Sequence, residues 1–151
     1  MSMADARTHY RENAVRGASR VGLVVLLYEQ MISDLRGAVE ALEKNQIQLR
    51  TQRINHAIVV IGHLQGTLNL HEGGEVAQNL NSFYAALRRN LVQAQARASR
   101  EILDRQIDKL LELRDAWIEV ERHEAKITTA GKNQVAPWPG LVETRPGTWK
   151  G

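Results

Sequence analysis

His56 and His63 stand seven residues apart, and His71 follows eight residues later. This is the one run of imidazoles in the chain that could be asked to hold a metal ion. Seven residues make about two helical turns, roughly 10 Å of rise, so one small ion cannot take both side chains without further ligands. Helical metal centres supply such ligands as Glu-x-x-His pairs, and no Glu here has a His three positions later. The absence of cysteine removes thiolate ligands, a Cys nucleophile and any disulfide framework. Neither a Gly-x-x-x-x-Gly-Lys phosphate loop nor a Gly-x-Ser-x-Gly elbow occurs. Glu40, Glu43, Asp108, Glu112 and Asp115 alternate with basic residues as solvated helix faces do. Glu101 and Arg105 are spaced for an i,i+4 ion pair worth a few tenths of a kcal/mol. The residues thus predict no enzyme activity, no metal and no cofactor.

The basic residues raise a different chemistry. Net charge is +3, and the excess gathers in two places. Arg7, Arg11, Arg16 and Arg20 precede the first long apolar segment, and Arg88, Arg89, Arg97, Arg100, Arg105 and Lys109 follow one another later. Such patches can attract nucleic acid. No aromatic residue interleaves these arginines as single-strand binding requires, so solvated helix faces are expected and nucleic acid is not.

The elements that carry these residues are helical. Between Ser19 and Ile127 there is no proline, and apolar residues recur three and four apart rather than alternately. A first helix is predicted over 20–44, with Ser19 as N-cap. Its seam reads Val24, Leu27, Met31, Leu35, Ala38 and Leu42, and a second stripe of Val21, Val25, Ile32 and Val39 lies beside it. A second helix over 48–70 places Ile54, Ala57, Ile58, Ile61, Leu64 and Leu68 on one face. His71-Glu72-Gly73-Gly74 supplies positive-φ positions that stop a helix, and Glu75 suits the next N-terminus. A third helix presents Val76, Leu80, Phe83, Tyr84, Leu87, Leu91, Ala94 and Ala98. Ser99 can cap a fourth, with Leu103, Ile107, Leu110, Leu111, Trp117 and Val120 inward. Four such helices with short connections predict an all-α, antiparallel up-down four-helix bundle.

At 151 residues, with 43% apolar and 25% charged side chains, the chain suits one domain with a mostly aliphatic core. Three segments are expected: a polar N-terminal capping segment over 1–18, the bundle over 19–127, and a tail over 128–151. The tail holds Pro137, Pro139 and Pro146 with Trp138 and Trp149, so it cannot be helical throughout and reads as extended and flexible. The N-terminus has no apolar signal region, and the run Leu23 to Tyr28 is far short of the roughly 20 residues a membrane span needs. A cytoplasmic protein without membrane insertion is expected.

One pattern exceeds what a bundle requires. A core-facing helix needs apolar residues at about three positions in seven, yet from Val21 to Tyr28 all but Gly22 are apolar. Ile58-Val59-Val60-Ile61 repeats the excess in the second helix. Either the N-terminal segment covers this surface through Tyr10, or a groove remains for a partner helix. A weakly held cover would serve both.

The ordered set of Tyr10 ahead of the first helix, Leu26-Leu27-Tyr28-Glu29 within it, Gly73-Gly74-Glu75 with Asn79-Leu80 and Tyr84, and Leu113-Arg114-Asp115-Ala116-Trp117 late in the chain resembles the flagellar export chaperone family, the FliS type. The resemblance covers about residues 10 to 125. Two departures stand out: Ser19 is followed by Arg20 where the family has Ser-Pro, and the tail exceeds the usual family length.

The resemblance implies an export chaperone that binds the disordered C-terminal segment of new flagellin in the cytoplasm. It implies that capping this segment prevents premature polymerisation, and that the chain is delivered to the flagellar type III export gate. The physics would be helix-in-groove recognition coupled to folding of the ligand, with no nucleotide. Tyr10, Leu23, Leu27, Tyr28 and Met31 are the candidates to line or cover the groove, joined by Leu68 and Tyr84, with core packing as their competing role. On that reading Tyr28→Ala weakens flagellin binding more than it lowers the melting temperature. The alternative function is a generic helical adaptor or scaffold that binds another amphipathic helix.

Overall fold

The computed structural model describes residues 19–70 and 73–129. Tyr10 and the rest of the N-terminal segment, His71 and Glu72, and the tail with its prolines and tryptophans lie outside the described residues. Within them the chain forms α1 (Arg20–Glu43), α2 (Ile47–Gly66), α3 (Gly74–Arg97) and α4 (Arg100–Thr129). The all-α bundle expected from the periodicity is the structure.

Local chemistry sets the helix ends. Ser19 is extended (φ −68°, ψ 173°) and its Oγ accepts from the Gly22 amide at 3.0 Å, satisfying one of the orphan donors of the first turn. Ser99 does the same for α4, accepting from the Ile102 amide at 3.1 Å. Asn45 (φ 55°) turns the chain out of α1, and Ala98 (φ 48°) turns it out of α3. The second helix is shorter than the apolar pattern suggests. It stops at Gly66, and Thr67 Oγ1 bonds back to the Leu64 carbonyl at 2.6 Å, so Leu68 and Leu70 belong to the connection. Of the paired glycines, Gly74 takes the left-handed conformation at φ 60° and Gly73 does not, at φ −76°.

Cross-helix pairs fix the directions. Asp34 meets His56 while Gly37 lies against Arg53, so α1 and α2 run oppositely. Gln95 bonds Thr51 while Asn81 bonds Gln65, so α2 and α3 do as well. Glu43 pairs with Arg100 and Glu29 with Arg114, which sets α4 against α1. α1 packs on α2 and α4, α3 packs on the same two, and among the described residues no Cα of α1 comes within 8 Å of one in α3.

The packing is uneven, and residue size explains it. α1 sits closer to its neighbours than α3 does. Helix separation follows the side chains at the contact. On α1 the small residues Gly22, Ala38 and Ala41 are buried, and a Cβ at Gly37 would come within 3.0 Å of the Arg53 side chain. α3 buries Ala77 and Ala94 near its ends but offers Leu80, Tyr84, Leu87 and Leu91 between them, and it stands further off. Both stripes of α1 are used: Val21, Val25 and Ile32 are buried with Val24, Met31, Leu35 and Ala38. Burial against two close neighbours therefore absorbs most of the apolar excess in this helix.

Candidate functional site

The residues singled out from the sequence divide into two groups. Tyr28 and Met31 on α1 and Tyr84 on α3 are fully buried, and Leu68 is buried in the connection after α2. Leu23 and Leu27, on α1, are half-buried, with Leu27 packed against the core. Tyr10 lies outside the described residues.

The two tyrosines meet inside the bundle. Their hydroxyl oxygens are 2.8 Å apart, their ring centroids 6.3 Å apart, and the ring planes cross at 63°. This edge-on arrangement suits two aromatic quadrupoles. The Trp117 ring on α4 lies 6.4 Å from Tyr28, and its indole N–H, a donor only, hydrogen-bonds the Tyr28 hydroxyl. Burial raises the pKa of Tyr28 against the opposing pull of its hydrogen bonds to Tyr84 and Trp117. Burial also raises that of Tyr84, with the charge of a Tyr28 phenolate and the bond between the two hydroxyls adding to it. Both phenols stay neutral at ordinary pH. The cluster is a satisfied polar contact inside an aliphatic core, and a partner cannot touch it without opening the bundle. Tyr28→Ala is therefore expected to lower stability through loss of this buried contact.

A second polar contact holds α1 to α2. Asp34 is 1% exposed, and its carboxylate accepts from His56 Nδ1 at 2.5 Å and from Gln30 Nε2 at 3.0 Å. Arg53 Nη1 stands 3.7 Å away. His56 thus has a structural partner, and no group of three or more metal-ligating side chains exists among the described residues.

The exposed apolar side chains lie elsewhere. Ile47, Leu49 and Val59 on α2, Val92 on α3 and Leu70 in the connection are the large hydrophobic residues left in solvent among the described residues, with Val59 57% and Val92 55% exposed. Around Val59 the outer face of α2 carries Gln48, Gln52, Asn55, Gly62 and Gly66, with His56 and His63 one turn to either side, all exposed. A Cβ at Gly62 or Gly66 would meet nothing within 4 Å, so this side of α2 is open. Beside Val92, the outer face of α3 adds Gln78, Ser82 and Ala96, together with Arg88 and the exposed Arg89 one turn before it. The faces of α1 and α4 differ in kind, for there ion pairs recur: Glu40 with Lys44, Glu29 with Arg114, Glu119 with Arg122. The result is an α2–α3 face on which isolated apolar side chains stand among amides and small residues, with arginines beside Val92 and no acidic residue within a turn of Val59 or Val92. The run Ile58-Val59-Val60-Ile61 signalled it in the sequence. Val92 gave no such signal, because it stands alone between Leu91 and Gln93.

Comparison with known proteins gives the chain a family. The family model described as "Flagellar protein FliS" matches residues 3–124. The flagellar secretion chaperone FliSB of Pseudomonas aeruginosa is 33% identical over 106 residues, covering 70% of this chain and 84% of the relative. FliS of Bacillus subtilis is 26% identical over 126 residues, covering 83% and 93%. FliS of Vibrio cholerae is 24% identical over 119 residues, covering 79% and 88%. No helix among the described residues is long and apolar enough to cross a membrane. The matched span takes in α1, α2, α3 and most of α4, and the chain belongs to the FliS family of flagellar secretion chaperones.

Proposed function

We propose that this chain binds the disordered C-terminal segment of flagellin in the cytoplasm, keeps it from polymerising, and presents it to the flagellar export gate. The observation that carries the reading is the outer face of α2 and α3, where Val59 and Val92 stand exposed with no acidic residue within a turn of either, in a family of secretion chaperones. A segment that folds on binding gains from apolar burial and loses several kcal/mol to its own ordering, so the surface must offer apolar anchors. The half-buried Leu23 and Leu27 extend the apolar surface on α1. Tyr10 and the segment over 1–18 would act as a displaceable cover, and the tail over 128–151 as an appendage to the bundle.

The test is calorimetry with a peptide of the last forty or so residues of the organism's own flagellin. Tight binding with a large negative heat-capacity change supports the proposal. Absence of binding overturns it and favours an adaptor for a different amphipathic helix.

A further inference from the structure

The groove between α3 and α4 has a different character from the α2–α3 face. It holds a half-open cavity of about 330 Å³ whose lining includes Asn90, Arg97, Glu101, Arg105, Gln106 and Lys109. Glu101 is already engaged by Arg105 at 2.9 Å. Arg97 and Lys109 have no carboxylate partner among the described residues. At the base lies Gln106, 2% exposed. Its Oε1 accepts from Asn90 Nδ2 at 3.2 Å, while its Nε2 makes no hydrogen bond to any described residue. The Gln106 amide thus reaches the cavity from an otherwise buried side chain with its donor not used by the described residues, and the cations that border the cavity favour an anionic acceptor there.

We infer that the α3–α4 groove is a docking site for a short acidic peptide segment, with one carboxylate on Gln106 Nε2 and its neighbours between Arg97 and Lys109. The volume lies at the small end of the range for pockets that hold discrete groups, enough for one or two acidic side chains. A nucleic-acid backbone is a poor match. No aromatic residue lines the cavity to stack a base. The site is distinct from the flagellin-binding face proposed above, so the two stand or fall separately.

The experiment titrates the nitrogen-labelled full chain with a blocked hexaglutamate peptide, with inorganic phosphate, and with oligouridylate, following the side-chain amides of Gln106 and Asn90 by NMR. Saturable shifts with hexaglutamate are expected, and Arg97→Glu and Lys109→Glu should each weaken binding about tenfold or more. Both positions are exposed, so the melting temperature should not move. The same variants should bind the flagellin peptide as the unmodified chain does. Absence of saturable shifts overturns the inference. So does phosphate binding as tightly as the peptide, which would make this a free-anion site, or tighter binding of the oligonucleotide. Loss of flagellin binding in both variants would assign the groove to flagellin and overturn the separate acidic site, while leaving the chaperone reading in place.

Discussion

The hydroxyl groups of Tyr28 and Tyr84 meet at 2.8 Å across the diagonal of the bundle, joining α1 to α3, whose Cα atoms never come within 8 Å of each other among the described residues. The loosely packed helix is thus tied to the closely packed one through a pair of buried side chains. A hydrogen bond of this kind contributes about 0.5–1.5 kcal/mol net, and an orphaned buried partner costs about 1–3 kcal/mol.

That asymmetry can be measured in a double-mutant cycle. Tyr84→Phe leaves the Tyr28 hydroxyl with its Trp117 contact alone and should lower stability by about 1–2 kcal/mol. Combining Tyr28→Phe with Tyr84→Phe should cost less than the sum of the singles, because neither phenol is then left to be satisfied. Urea unfolding of the four proteins reads the coupling, and strict additivity would show that the hydroxyls do not interact.

The same pair predicts alkaline sensitivity. Both phenols have pKa values raised in the folded state, so the folded chain keeps protons that the unfolded chain gives up above pH about 10. Their contribution is fully present below that pH and is lost as pH rises beyond it. Stability should decline above pH 10, and the double Phe variant should lose much of that slope in urea titrations taken across this range.

Asp34 is the buried charge on which the α1–α2 contact depends. Asp34→Ala removes the acceptor for His56 and Gln30 and the nearby countercharge for Arg53, and should cost about 1–3 kcal/mol. His56→Ala should destabilise as well, since the Asp34 carboxylate stays buried and loses a donor. Unchanged urea midpoints in both variants would show that the contact contributes nothing.

Surface and core substitutions should separate binding from folding. Val59→Asp and Val92→Asp place charges at exposed positions and should leave the melting temperature within a degree or two. Each should weaken the flagellin peptide by about tenfold if the α2–α3 face is its seat. Tyr28→Ala empties a buried aromatic site and should cost about 3–5 kcal/mol, with binding falling only as the folded fraction falls. Calorimetry and thermal unfolding of the three variants give both quantities.

Much of this protein is written in local sequence. The three-and-four spacing from Val21 to Val120 specifies amphipathic helices, Ser19 and Ser99 mark two starts through hydroxyls that reach amides three residues on, and Gly74 marks a turn that only a residue tolerant of positive φ takes without strain. The ordered landmarks around Tyr28, Gly73, Tyr84 and Trp117 point to the family. Periodicity assigns a face to each helix, but how much of that face is covered depends on how far away the neighbours stand and how they are rotated. Small residues drew α2 and α4 close to α1 and so enclosed Tyr28 and Met31, which the sequence alone could equally have placed in an open groove. The wider setting of α3 left Val92 in water, and the outward turn of α2 left Val59 there. Those are long-range packing outcomes, so the candidate binding face and the amide-lined α3–α4 groove became visible only in the folded bundle.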